Sequence, residues 1–183
     1  MAAFRCRQVG AVLTFAEEVK KAMLMLAENQ HTLFLGQSVF WDGAQIYKSL
    51  ELVSEDKRME IPVVEDFQLG YCIGLSLIGY IPICIYPRLD FMMLCMNQLV
   101  NHLDRLEEMS DFKPKVIVRT TVGGTKPLNA GPQHTGNYTA QIRGMLRNVV
   151  VQELTRPQDV LPCYTSALHR SGSTLIVENP WLP

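Results

Sequence analysis

Two places in the chain put an ionisable side chain where it could do chemistry. The first is Glu65, just ahead of residues 69–86, an uncharged stretch reading LGYCIGLSLIGYIPICIY. A carboxyl group drawn into an apolar setting is desolvated, which keeps it a proton partner near neutral pH. The plainer alternative is a first-turn glutamate favoured by the positive end of a helix. The second is His134, in the long polar loop 122–136, which also carries Gly123, Gly124, Pro127, Asn129, Gly131, Pro132 and Gln133. A loop of this length inside a compact chain is more often functional than idle. An imidazole there can hydrogen-bond an anionic group, or simply bond the loop's own backbone.

Other chemistries find less support. His31, His102 and His169 lie far from each other and from His134 in sequence, with no metal-ligand spacing, so no metal bound wholly by this chain is indicated. The five cysteines, Cys6, Cys72, Cys84, Cys95 and Cys163, are odd in number and form no Cys-x-x-Cys pair. They fit reduced, mostly buried thiols of a cytoplasmic protein better than a disulfide framework or a zinc site. Neither Gly-x-Gly-x-x-Gly nor Gly-x-x-x-x-Gly-Lys-Ser/Thr occurs, and Gly-x-Ser-x-Gly is also missing.

These side chains need a scaffold, and its elements alternate along the chain. Thr14 and Glu17 make a capping box that opens a helix to about Asn29, with Phe15, Val19, Met23 and Leu26 on one face. A short strand, TLFLG, ends at Gly36, and a helical stretch follows Asp42 and Gly43. The Pro62 segment leads into a helix dotted by Gly70 and Gly74 that ends near Gly79, then into the strand IPICIY. A long helix is expected over residues 89–109, then the β-branched strand KVIVRTT and the polar loop. A short helix, the strand NVVVQEL, a helix opened by a second capping box at Thr155 and Gln158, and the strand STLIVEN complete the order. Short apolar strands alternating with helices imply an α/β fold of three layers, a mainly parallel sheet between helices. Ligands of such folds sit at the carboxyl ends of the strands.

The bulk numbers agree. The 183 residues suffice for one domain, 1–183, with a sizeable core. At 48% hydrophobic and 19% charged the chain is globular, and a net charge of -1 gives no footprint for nucleic acid. The uncharged stretch nears the roughly 18-residue minimum for a membrane span, but Pro82 breaks it and glycines punctuate it. A buried helix followed by a core strand is expected instead. The start, MAAFRCRQVG, lacks the apolar core of a secretory leader.

Three separated blocks carry a family resemblance. Asp42-Gly43, then Asp56-Lys57-Arg58 and Ile61-Pro62-Val63-Val64-Glu65, is similar to an Asp-Gly, Asp-Lys-Arg, Thr-Pro-Ile-Ser-Glu series. Pro82-Ile83-Cys84 through Phe91 to Gln98 and Asn101 is similar to a strand and helix ending in Asp-Gln-x-x-Asn. Gly131-Pro132-Gln133-His134-Thr135 is similar to a Gln-His-Ser loop, and Glu178-Asn179 to a terminal strand. In order and approximate spacing these resemble the beta subunit of 2-oxo acid dehydrogenases, thiamin-diphosphate enzymes with a transketolase-like pyrimidine-binding domain.

The resemblance implies a site shared between chains. The pyrimidine-binding domain holds the aminopyrimidine ring, while diphosphate and Mg2+ are held mainly by a partner, an alpha-type subunit carrying Gly-Asp-Gly. That motif is missing here, so the chain is expected to supply half a site and to form a hetero-oligomer or homodimer through the glycine-dotted and long helices. Glu65 matches the catalytic glutamate that shares a proton with the pyrimidine nitrogen and so promotes loss of the thiazolium proton. Phe91 matches the cofactor-binding aromatic that packs on the ring. His134 matches a catalytic histidine facing the substrate, a small 2-oxo acid that is decarboxylated. The alternatives are transketolase-like two-carbon transfer, or a non-catalytic module retaining the fold. Leu94 and Asn97 depart from the family's glutamine and aspartate, and Arg88 and Asp90 bring charge where the family has less. The dehydrogenase beta subunits also continue into a further domain.

Overall fold

The computed structural model describes residues 13–126 and 129–181, which leaves the Cys6 and Pro127 expectations outside the described residues. Six strands form one sheet: β1 Thr32–Gly36, β2 Arg58–Glu60, β3 Ile81–Ile85, β4 Ile117–Thr121, β5 Val150–Leu154 and β6 Thr174–Glu178. Their order is β2-β1-β3-β4-β6-β5, and every neighbouring pair is parallel. Parallel strands covered on both faces should be apolar on both, and they are. Cys84, Val118, Leu175 and Val177 face one core, while Ile83, Ile85, Ile117 and Ile176 alternate into the other. Each fully buried Leu or Ile of this kind contributes roughly 1.5–3 kcal/mol.

Helices α1 Phe15–Ala27, α2 Gln45–Leu50 and α7 Pro157–His169 cover one face. The other is covered by α3 Glu65–Leu77, by the turns running from α4 Leu89–Met92 to α5 Leu106–Met109, and by α6 Thr139–Met145. The Thr14 capping box forms as expected, with Glu17 returning its carboxylate to the Thr14 N–H at 2.7 Å. Helix α3 stops two residues before Gly79, whose φ of +93° suits the turn that feeds β3.

A buried polar network pins the carboxyl ends of β4 and β6. The Arg119 guanidinium donates to both Glu178 oxygens, at 2.9 and 3.2 Å, and to Ser49 Oγ at 2.8 Å. The Tyr164 hydroxyl donates to Glu178 at 2.7 Å, so the network joins α2 and α7 to the sheet. Burial opposes the Arg119 charge, but the adjacent Glu178 carboxylate outweighs it and holds the guanidinium above its ordinary pKa. Burial, with the Glu178 charge, pushes the Tyr164 hydroxyl up as well, so it stays a donor.

Two expectations are corrected, and one strand was unforeseen. Residues 89–109 are not one helix: α4 gives way to a 3-10 turn at Met93–Cys95, a π-helical turn at Gln98–Leu103 and then α5. The wide turn precedes the fully buried Asp104, whose carboxylate accepts from the N–H groups of Arg147, Asn148 and Val149. The second capping box does not form. Arg156 is the N-cap, with Pro157 at the first helical position, so Thr155 lies one residue too early to reach the helix, and Arg156 instead pairs with Asp159. Strand β2 was not expected, because Arg-Met-Glu has no apolar pattern; it is a three-residue edge strand on β1. Among the described residues no helix is long and apolar enough to cross a membrane.

Candidate active site

Glu65, Phe91 and His134 each follow a different strand at the carboxyl edge of the sheet. Glu65 is the first residue of α3 after β2, Phe91 lies in α4 after β3, and His134 closes a 3-10 turn after β4. The chain leaves β1 toward β2 but leaves β3 toward β4, in the opposite direction, so the crevice of the sheet opens between the ends of β1 and β3. There Gly36 lets the strands close up: a Cβ on it would stand 2.5 Å from the Ile85 carbonyl oxygen.

Glu65 is 6% exposed; its carboxylate makes no hydrogen bond to a described residue and keeps an opening to solvent. Its backbone is fixed twice. The Tyr86 hydroxyl donates to the Glu65 carbonyl at 2.8 Å, and Gln68, one turn on, donates Nε2 to the Ile85 carbonyl at 2.9 Å. Both bonds tie the first turn of α3 to the end of β3. Burial, with the Cys84 and Cys95 thiols beside it, holds the Tyr86 hydroxyl far above its ordinary pKa and keeps it a donor. Burial likewise pushes the Cys95 thiol up to about 12, so this thiol is packing rather than a nucleophile. Cys72, Cys84 and Cys95 are free and buried, and Cys163 is free and half-buried.

Phe91 and His134 meet edge to face, with ring centroids 5.3 Å apart and an interplanar angle of 84°. The loop that carries His134 is shaped by glycine. Gly131 takes φ +86° to start the 3-10 turn, and the His134 N–H donates to the Gly131 carbonyl at 3.1 Å. Gly123 passes so close beneath that a Cβ there would lie 1.9 Å from the His134 carbonyl oxygen. Further along, the Gly136 N–H donates to Asp90 Oδ1 at 3.2 Å. His134 Nδ1 and Asp90 Oδ2 are both buried without a partner among the described residues.

The structure therefore brings Phe91 and His134 into contact and sets Glu65 at the same edge, joined to the Phe91 segment through Tyr86. Asp90, read from the sequence only as a departure in charge, is part of this edge; its order within the chain, directly before Phe91, was the available signal. Leu94 and Asn97 lie on the surface. Leu94 is 67% exposed, and Asn97 accepts from Asn101 on the surface. Beside them the outer face of α3 exposes Phe67, stacked on Tyr71 at 5.8 Å, and Ile78. They border a groove of about 630 Å³ whose floor is Gly70 and Gly74. His31, His102 and His169 lie outside the carboxyl edge.

No model of a known protein family matches the chain. The 2-oxoisovalerate dehydrogenase subunit beta of Bacillus subtilis (strain 168) is 26% identical over 121 residues, 62% of this chain and 37% of that protein. The acetoin:2,6-dichlorophenolindophenol oxidoreductase subunit beta of Cupriavidus necator is 28% identical over 107 residues, covering 57% and 31%. The pyruvate dehydrogenase E1 component subunit beta of Cyanidium caldarium is 28% identical over 110 residues, covering 57% and 34%. The chain spans about a third of the length of these curated relatives. Among solved structures, a split-gene transketolase described as an inactive beta4 tetramer superimposes with a TM-score of 0.72 at 17% identity, over 91% of this chain and 51% of that one. Transketolase from Campylobacter jejuni subsp. jejuni NCTC 11168 gives 0.73 at 14% identity, over 92% and 26%. The fold is transketolase-like, and in sequence the chain is similar to dehydrogenase beta subunits.

Proposed function

We propose that this chain supplies the pyrimidine-binding half of a thiamin-diphosphate site in a heteromeric enzyme that decarboxylates a small 2-oxo acid. The observation that carries this reading is Glu65: a largely buried residue at the carboxyl edge whose carboxylate makes no hydrogen bond to a described residue and keeps an opening to solvent. An ionised carboxylate only accepts hydrogen bonds, so a ligand that brings a donor is its complement. A protonatable ring nitrogen fits that carboxylate. A flat aromatic ring fits the half-buried Phe91 at the same edge of the sheet. When bound, the cofactor supplies the carbanion-stabilising centre. Glu65 holds a proton at the pyrimidine nitrogen, Phe91 packs on the ring and excludes water, and His134 orients the substrate carboxylate.

Diphosphate and Mg2+ fall to an alpha-type partner subunit, because the chain carries no Gly-Asp-Gly. The exposed α3 face and its groove suit subunit contact, since apolar patches of this kind mark interaction sites. A single domain over 1–183 and a cytoplasmic setting complete the reading. A second reading, two-carbon transfer as in transketolase, is favoured by the likeness of the chain to the beta chain of a split-gene transketolase over 91% of its length.

Co-purification with a diphosphate-binding partner, followed by calorimetry with Mg2+ and thiamin diphosphate, tests the proposal. Cofactor binding by the assembly and loss of turnover in a folded Glu65→Gln assembly are expected. An assembly that forms but never binds thiamin diphosphate makes the chain a non-catalytic module that kept the fold.

A further inference from the structure

The loop that leaves β1 is clamped by the edge strand beside it. Glu60, the last residue of β2, accepts the N–H groups of Ser38, Val39 and Phe40, the last two at 2.8 and 3.1 Å. Ser38 takes φ +64°, which turns these successive N–H groups toward one carboxylate. Arg58, the first residue of β2, holds the same loop. It donates to the Val39 carbonyl at 3.3 Å, and its guanidinium lies 4.7 Å from the centre of the Phe40 ring and 5.8 Å from that of Tyr47. What the clamp presents is aromatic: Phe40 is exposed, and Trp41 is 64% exposed. The indole rests on Gly43, where a Cβ would stand 2.7 Å from it, and the Ala44 N–H closes the turn on the Trp41 carbonyl at 3.0 Å. The Ile61 N–H bonds the Gly36 carbonyl at 2.9 Å, which lays the connection to Glu65 alongside this loop. Its exposed Val63 and Val64 add to the apolar surface.

An indole held in place yet left in water is costly to keep and cheap to bind, because little freedom remains to be lost on contact. Tryptophan is also enriched among the residues that carry most of an interface's binding energy. We infer that the clamped β1 loop is the anchor on which the diphosphate-binding subunit docks, with the Trp41 indole entering an apolar pocket of that subunit. Place and charge select this occupant. The loop stands at the carboxyl edge beside the crevice between β1 and β3, so a subunit that brings the rest of the cofactor to Glu65 covers it. The rim is negative: Asp42 is exposed beside the indole, and the exposed Glu55 lies 3.7 Å from an Arg58 whose own side chain is buried. The complementary pocket is therefore rimmed by Lys or Arg. Glu60 and Arg58 are positioning residues that act through the indole. This inference rests on the proposed two-chain site but on no step of its chemistry.

The chain has two tryptophans, so Trp181→Phe leaves Trp41 as its one indole. Titrating that chain with the diphosphate-binding subunit, separated from the co-purified assembly, should shift the emission to the blue as the indole leaves water. By calorimetry, Trp41→Ala should weaken association by roughly 30-fold or more, the threshold of a dominant contact. Glu60→Ala should cost roughly 3–10-fold in the native chain, the penalty of immobilising a loosened side chain on binding. In a Trp41→Ala background the same substitution should cost nothing further, because the clamp acts through the indole; a general loss of folding would weaken both backgrounds alike. No blue shift, an association that Trp41→Ala leaves within about twofold, or equal effects of Glu60→Ala in the two backgrounds overturns the inference. So does self-association of the chain that Trp41→Ala abolishes, which gives the patch to a second copy. An assembly that depends on Trp41 yet never binds thiamin diphosphate upholds the anchor and sinks the cofactor proposal. One that binds the cofactor without needing Trp41 does the reverse.

Discussion

Adding one methyl group at Gly123 should displace His134 from Phe91. An alanine Cβ at this position would lie 1.9 Å from the His134 carbonyl oxygen and 3.1 Å from Arg88 Nε, where real Cβ atoms keep at least 3.0 Å from other heavy atoms. The obstructing atom is backbone, so no rotamer change relieves it. The loop must retreat by about 1 Å, and overpacking of this kind costs about 1–3 kcal/mol. The 5.3 Å contact between the Phe91 and His134 rings opens with it. Urea denaturation of Gly123→Ala should show that loss, and the His134 Cε1 proton should move as the ring current of Phe91 weakens. In an active assembly a 1 Å misplacement of a catalytic group costs roughly 100-fold in rate. A variant with unchanged stability and an unmoved His134 signal would refute the packing argument.

Further perturbations test the scaffold. Arg119→Met leaves the Glu178 carboxylate buried with only its hydroxyl donors, and should cost about 3–5 kcal/mol in denaturant melts; a change under about 1 kcal/mol contradicts the network. Tyr86→Phe removes the donor to the Glu65 carbonyl, and a loss of about 0.5–1.5 kcal/mol in denaturant melts is expected, with faster amide exchange at the head of α3. Lys115 donates to the Ala167 carbonyl at 2.7 Å and to that of Arg170, while burial first, and the Arg170 charge second, lower its pKa to about 8. The unfolded chain therefore holds this proton more tightly, and the contribution of Lys115 to stability should grow as pH rises from about 8 toward 10.5. Comparison of the native chain with Lys115→Met at pH 7.5 and 9.5 should show the native chain gaining on the variant; a constant difference refutes the assignment.

The strands of the sheet were legible because their apolar, β-branched runs need two covered faces, and TLFLG, IPICI and TLIVE fall where that pattern puts them. Strand β2 was not legible, since an edge strand of three residues with charged ends has only its pairing to β1 to define it. The broken pitch of residues 89–109 was hidden for a different reason. Nearly every residue there tolerates an α-helix, and the wide turn is set by tertiary contacts of Asp104 with the loop before β5. Glu65 and His134 could be picked out from an apolar neighbourhood and a polar loop, but their roles came through the family resemblance. The part played by Asp90 depends on Gly136, 46 residues away, and no local pattern records that contact.

The central claim is that the Glu65 carboxyl group shares a proton with the aminopyrimidine. Hydrogen–deuterium exchange at the thiazolium C2 position of bound thiamin diphosphate, followed by NMR in the assembly with the diphosphate-binding partner, tests it most directly. Exchange is expected to slow by roughly 100–10,000-fold in Glu65→Gln, the span of general acid–base effects. Equal exchange rates in two assemblies that both hold the cofactor would contradict the role given to Glu65.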